Sequence, residues 1–453
     1  MDYIPHTSQE TKEMLQALGL ENESQLFDMI PDQLLNPEID FPSATTEPEI
    51  SEMMESASEE NTGSRFTSFL GGGAYRHYIP KAVPALISRG DFATAYTPYQ
   101  AEVSQGTLQS IYEFQTLISN LTGLEIANAG VYDGATALAE GALMACRVTR
   151  KDKIIASATI NQHYLRVLKT YLLNSGLQLE IIPSQDGVTD VSALQSAIDD
   201  ETAGVFVQHP NYYGILEPVK AIEAATREHP CLLGAVSYPI SLGVLNSPGS
   251  WGADMAVGDL QPLGIPLQFG GPYSGYICGK QKHVRQLPGR LVGRTTDDDG
   301  QTGYVLTLQT REQHIRRAKA TSNICTNQAL CALASTIYLS LMGPTGLRRA
   351  AEISVQRSHE LQEALCSLDG VKLAYSKPYF NEFLLELPMP VSDFVEVAKT
   401  NRILPGIPVH KDEHHPKEGL LVCATEMTRK THIDQYVQVL SHALQNASNL
   451  ATV

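Results

Sequence analysis

From about residue 65 to 345 the chain alternates between short apolar runs and segments with helical patterning. The apolar runs fall at 153–158, 177–183, 203–209, 232–238, 253–260 and 274–279, and helix-like segments at 161–175 and 190–200 separate several of them. A strand that is apolar along its whole length needs cover on both faces, and strand–helix alternation supplies it. The expected fold class is therefore α/β, a mostly parallel central sheet flanked by helices. Ligands of such sheets bind at the carboxyl ends of the strands. After a helical stretch at 326–368 the pattern changes. Strands are expected at 371–376, 380–388 and 419–426 and helices at 390–402 and 431–445, giving a smaller C-terminal α+β domain. Residues 1–64 read as a helical N-terminal segment and linker. Thr7 with Glu10 fits a capping box, and Pro42 and Pro48 make the start of the acidic stretch 41–62 irregular. The domains expected are thus 1–64, 65–345 and 346–453.

A net charge of −17 argues against a nucleic-acid backbone as the main partner. Arg311, Arg316, Arg317 and Lys319 form the one basic cluster, read either as a solvated helix face or as a local contact. No apolar run suggests a membrane span, and the polar N-terminus resembles no export or organelle signal, so a cytoplasmic location is expected. The seven cysteines, 146, 231, 278, 325, 331, 366 and 423, form no CxxC pair and read as reduced, buried thiols. His414-His415 has no companion ligands at metal spacing, so no metal is expected.

Three places carry possible chemistry in the large α/β region. Asp133-Gly134-Ala135-Thr136 opens an Ala-rich helix, where free N–H groups and the Thr136 hydroxyl suit a phosphate or, equally simply, make an N-cap. Ser237 and Tyr238 end one apolar run. The loop from Gly258 to Gly275 follows the next one, with Gln261 five residues before Pro266 and no lysine anywhere in it. Lys280 and Lys282, downstream, read as surface residues. Two further blocks are densely polar. Tyr96, Tyr99, Gln100 and Glu102 surround Pro98, and Thr321, Ser322 and Asn323 precede a helix expected to begin at 324. Arg76-His77 follows a glycine triplet.

These pieces, with YIPHT, FLGGGAYRHYIP, YTPYQAEVSQG, FQTLISNLTGLEIANAG, FGGPYSG and KATSNICTNQAL in order, resemble the glycine decarboxylase P-protein family over nearly the whole chain. The likeness is to the α, or N-terminal-half, subunit of its two-chain form, in the fold-type-I pyridoxal-phosphate group. The resemblance implies an α2β2 enzyme that decarboxylates glycine and passes the aminomethyl group to the lipoyl disulfide of H-protein. It implies that pyridoxal phosphate is held covalently by the β subunit, and that Gln261 and Ser237 stand where a working site has its cofactor lysine and its ring-nitrogen acid. Asp133, Thr136, Ser237 and Gln261 would then line a degenerate pocket. Tyr96, Tyr99, Gln100 and Glu102 would be lent to chemistry at the β site, and Thr321, Ser322 and Asn323 to its cofactor. Two other readings stay open: a scaffold that stabilises β and lends nothing, and a stand-alone pyridoxal-phosphate enzyme with a different lysine.

Overall fold

Seven strands build the central sheet: β1 (Ile126–Ala127), β2 (Lys153–Ser157), β3 (Gln178–Ile182), β4 (Thr202–His209), β5 (Leu232–Ser237), β6 (Met255–Asp259) and β7 (Gly275–Gly279). Their spatial order is β1-β7-β6-β5-β4-β2-β3. Pairing is parallel from β6 through β5, β4 and β2 to β3, and β7 runs antiparallel to both β6 and β1. All six apolar runs expected as strands are strands. The computed structural model describes residues 6–35, 37–173, 175–268, 270–324, 326–411 and 416–451. Cys325, His414 and His415 lie outside the described residues.

Residue alternation explains why the inner strands are buried on both faces, whereas the edge strand β3 exposes Gln178 and Glu180. Ile154 and Ala156 of β2 face one cluster with Phe206, Met255, Val257 and Ile277. Ile155 faces the opposite cluster with Val205, Val207, Ala256 and Cys278. Side chains point alternately to the two faces of a strand, so a sheet with helices on both sides has no polar side. On the first face lie α4 (Gly134–Thr149) and α5 (Gln162–Leu173). The second is covered by α3 (Gln105–Thr122), α6 (Val191–Ala197), α7 (Val219–Arg227) and the front half of α8 (Ala329–Cys366). Among the described residues α8 is the one helix long and apolar enough, by length and composition, to cross a bilayer, which the sequence reading did not allow for. Its Ala332, Tyr338, Leu347 and Ala351 instead belong to the core over the sheet. The helix is kinked at Gly343, where φ is 58°, followed by Pro344.

Beyond α8, strands β8 (Lys372–Leu373), β9 (Glu382–Glu386), β10 (Ile407–Val409) and β11 (Gly419–Cys423) form an antiparallel sheet in the order β8-β9-β11-β10. Helices α9 (Val391–Thr400) and α10 (Lys430–Ala451) cover it through Phe394, Ala398, Ile433, Tyr436 and Leu440. The chain separates into two compact units, Met1–Ser64 and Arg65–Val453. In the first, α1 (Ser8–Leu18) is capped by the Thr7–Glu10 box and α2 (Glu47–Glu60) by Thr46 and Glu49. No described residue of that unit up to Ser64 is buried.

Among the described residues six cysteines are free thiols; Cys146, Cys231, Cys278 and Cys423 are buried, Cys331 and Cys366 partly so. Lys280 is not a free surface residue, since its Nζ lies 2.6 Å from Asp254 Oδ1.

Candidate functional site

The carboxyl ends of β4, β5 and β6 converge on a cavity of about 30 Å³, lined by Asn161, Tyr164, Ser237, Tyr238 and Asp259. That volume holds about two water molecules. The carboxylates and the helix start that would greet a ligand there are already engaged. Asp259, at the end of β6, accepts from Gly134 N at 2.9 Å and from Gln261 N at 2.8 Å. Asp133 accepts from Thr136 N at 2.7 Å, an ordinary N-cap. The Tyr164 ring packs directly over Gly134. The start of α4 therefore meets the chain's own carboxylate and phenol where a phosphate would need open N–H groups. Burial pushes the Asp259 carboxyl up to about 7, against the two N–H donors that favour its charge.

Gln261 is buried and fully bonded. Its Oε1 accepts from Tyr75 N at 2.7 Å, and its Nε2 donates to Tyr75 O at 2.9 Å and to Ile265 O at 3.0 Å. This clamps the stretch after the glycine triplet across the cavity. Tyr75 then stacks on Tyr238, with ring centroids 4.2 Å apart, and its hydroxyl donates to Glu382 Oε2 at 2.7 Å. Tyr238 hydrogen-bonds His77 Nε2, and His77 Nδ1 lies 2.7 Å from Glu426 Oε2. Burial works to raise the Glu426 carboxyl, but the His77 ring and the Tyr78 N–H outweigh it and hold it below the usual range. Ser237 is buried at the cavity wall, and its carbonyl accepts from Tyr276 Oη at 3.0 Å. Pyridoxal phosphate does not fit here. No lysine lines the cavity, and a ligand of that size needs roughly 300 Å³ or more.

The two polar blocks lie elsewhere, and the structure links them. Tyr96 is 79% and Tyr99 49% exposed, while Pro98 between them is buried. Gln100 and Glu102 are exposed at the one-turn helix Ala101–Val103. Gln105 braces this turn by donating to Ala101 O and Tyr304 O and accepting from Tyr304 N. Arg290 sits behind it, just before the antiparallel ribbon Leu291–Thr296 and Thr302–Thr307. Arg290 Nη1 donates to Thr97 Oγ1 at 3.2 Å and Nη2 to Tyr99 Oη at 3.1 Å. Glu312 Oε2 lies 3.5 Å from Arg290 Nε and 3.6 Å from His314 Nδ1. The first approach is within ion-pair range but too poorly aligned to satisfy Nε. The Tyr99 ring meets the His314 ring edge-on at 5.7 Å. His314 in turn lines an open depression of about 560 Å³ with Gln313, Arg317 and Asn323.

The basic cluster is not one helix face. Arg311 turns inward to the carbonyls of Leu287, Gly289 and Leu308, and Arg317 stands at φ 52°, a conformation side chains rarely adopt. The helix expected at 324 begins at Ala329 instead. Asn327 Nδ2 donates to Ala129 O at 2.6 Å and Thr321 N to Arg311 O at 3.0 Å, so tertiary bonds hold Thr321 and Asn327 out of helix. Asn323 is exposed at the depression. Ser322 leans inward, where its hydroxyl accepts from Ile324 N at 3.0 Å and only partly opposes the burial that raises the Glu140 carboxyl. Reasoning from sequence missed Tyr164, Asp259, Arg290, Glu312 and His314. Asp259 was findable, as the acid two residues before Gln261. Nothing local marks the others.

The family model of the glycine cleavage system P-protein matches residues 1–440. A "Probable glycine dehydrogenase (decarboxylating) subunit 1" from Chlorobium chlorochromatii (strain CaD3) is 47% identical over 444 residues, 97% of this chain and 99% of the relative. One of the same description from Geobacillus kaustophilus (strain HTA426) is 44% identical over 97% of this chain and 98% of the relative. Among solved structures, glycine decarboxylase (P-protein) of the glycine cleavage system, in inhibitor-bound form, aligns with a TM-score of 0.90 at 43% identity, covering 98% of this chain and 100% of that one. A glutamate decarboxylase from Lactobacillus brevis, at 14% identity over 90% of this chain and 95% of that one, with a TM-score of 0.68, shares the fold alone. The chain belongs to the glycine cleavage system P-protein family.

Proposed function

We propose that this chain is the cofactor-poor subunit of a two-chain glycine dehydrogenase (decarboxylating), and that it completes a site whose pyridoxal phosphate is bound by a companion subunit. The substrate is glycine, and the aminomethyl product goes to the lipoyl group of H-protein in an α2β2 complex. The observation that carries this reading is the contrast between the two places. The cavity at the strand ends is closed by Asp259, Tyr164 and Gln261, while Tyr96, Tyr99, Gln100 and Glu102 stand on an open face beside His314 and Asn323. A turn braced from behind and exposed in front is how a rigid scaffold presents side chains to a neighbour's site. Gln261 takes the position of the cofactor lysine, and Thr321, Ser322 and Asn323 approach the cofactor phosphate from this side. When bound, pyridoxal phosphate supplies the electron sink for loss of CO2. This chain's groups bind and orient substrate, Glu102 through its carboxyl group and Tyr99 through its hydroxyl.

The test is glycine-dependent CO2 exchange by the complex with lipoylated H-protein. Glu102→Gln and Tyr99→Phe keep shape and remove a charge or a hydroxyl. Each is expected to cut turnover about 100-fold while the complex elutes intact on size exclusion. Near-normal exchange by both variants would favour the scaffold reading, which draws its support from the inward set of Ser322.

A further inference from the structure

A tyrosine hydroxyl has one proton to give and two lone pairs to receive with, so its direction is fixed by what it accepts. Tyr99 Oη accepts from Arg290 Nη2 at 3.1 Å. A guanidinium only donates, so the phenol's own proton is directed away from Arg290. Arg290 itself is 5% exposed. It is held by Thr97 Oγ1 at 3.2 Å through Nη1 and by the Glu312 carboxylate at 3.5 Å, and its backbone carbonyl accepts from Ala129 N at 2.9 Å. It therefore reaches a half-exposed side chain from a fixed, buried base. Its guanidinium carbon also lies 5.4 Å from the Tyr99 ring centroid, and the His314 ring meets the same aromatic ring edge-on at 5.7 Å. Tyr99 is thus constrained at its hydroxyl and along its ring, on a turn whose neighbours Tyr96 and Val103 are each 79% exposed.

We infer that Arg290 is a positioning residue. It fixes the Tyr99 phenol as a hydrogen-bond donor aimed out of this chain, toward an anionic oxygen at the companion subunit's site. The inference rests on the reading that the turn 96–102 is lent to that site. It adds a role for a residue outside the turn and a direction for the proton. A carboxylate or other oxyanion is the class of group recognised, because Arg290 holds one acceptor position of the phenol and its positive charge strengthens the remaining O–H as a donor. Glu312 completes the arrangement by balancing the buried guanidinium and keeping it between Thr97 and Tyr99.

The test is a double-mutant cycle on the assembled complex, reading kcat and KM for glycine in CO2 exchange. Tyr99→Phe is expected to lower kcat/KM about 100-fold, as loss of one oriented hydrogen bond to a charged group does. Arg290→Lys keeps the charge and loses the fork, and is expected to lower it about 10-fold or more. The double variant is expected to be no worse than Tyr99→Phe alone, because residues that act through one group are not additive. A purely structural Arg290 would give effects that multiply, and that result would overturn the inference. So would an Arg290→Lys complex with wild-type kinetics. If Arg290→Lys does not assemble, Glu312→Gln provides the second arm, with the same lack of additivity expected against Tyr99→Phe and the same multiplying outcome counting against the proposal. Failure of the wider reading looks different: Tyr99→Phe and Glu102→Gln would both leave exchange unchanged.

Discussion

Glu382 shows how a single buried carboxyl governs the stretch that closes the cavity. It starts β9 and accepts from Gly72 N at 2.6 Å and from Tyr75 Oη at 2.7 Å. Burial pushes its carboxyl from 4.5 up to about 7, and the two donors only partly oppose this. Between those values the folded chain holds a proton that the unfolded chain has released. Stability from this group is therefore full below about 4.5, falls as pH rises toward about 7, and is level above that. Glu382→Gln cannot titrate. Urea unfolding of both proteins at pH 5 and pH 8 is expected to show the wild type losing about 1–3 kcal/mol relative to the variant across that interval. A difference independent of pH would mean that the carboxyl is ionised throughout.

At the scale of elements, two glycines separate backbone strain from steric exclusion. Gly343 has φ 58° at the kink of α8, and nothing lies within 4 Å of where a Cβ would stand. Gly275 opens β7 with its Cβ position driven into the Asp133 carbonyl at the start of α4. Gly343→Ala is expected to cost about 1–3 kcal/mol from strain alone, since φ 58° with ψ −176° is a conformation that essentially only glycine adopts. Gly275→Ala is expected to cost about 3 kcal/mol or more, since β7 has to leave the helix start or β6. Equal shifts in melting temperature would contradict this division. The elements themselves were largely legible in the sequence. The runs of β4 to β7 are largely apolar because both faces are covered, and that signal is local. The start of α8 was not legible, because Asn327 and Thr321 spend their bonding groups on Ala129 and Arg311, partners far away in sequence. The length of α8 was legible, since the helical stretch expected at 326–368 spans Ala329–Cys366, where hydroxyl residues such as Ser354 and Ser358 bond back to helix carbonyls at Ala350 and Val355.

For the whole molecule, the absent lysine could be read from the loop at 258–275, but the closing of the cavity could not. Tyr164, Tyr75 and Asp259 reach it from different elements, and only the fold shows that they meet. The same holds for Arg290, which is joined to Tyr99 across 191 residues. The closed cavity makes a direct prediction for the purified chain. Incubated with pyridoxal phosphate, reduced with borohydride and mapped, neither the wild type nor Gln261→Lys is expected to carry a stoichiometric label at residue 261. Gln261→Lys is also expected to unfold earlier, by about 2–4 kcal/mol. It loses three hydrogen bonds to Tyr75 and Ile265 and buries an amine among carbonyls. Full labelling at 261 would show that the cavity opens when a lysine is supplied.

The clamp between Gln261 and Tyr75 also bears on how such a chain can change over generations. A single substitution toward a cofactor-binding residue meets a space already filled by Tyr164 and Asp259, so it loses stability and gains no ligand. Removing Tyr164 or Asp259 first leaves a void or bare N–H groups at the start of α4, again with nothing to fill them. Each such first step costs stability and gains no ligand, whichever residue takes it. The arrangement acts as a ratchet, and under the proposed function a chain built this way stays dependent on its companion subunit.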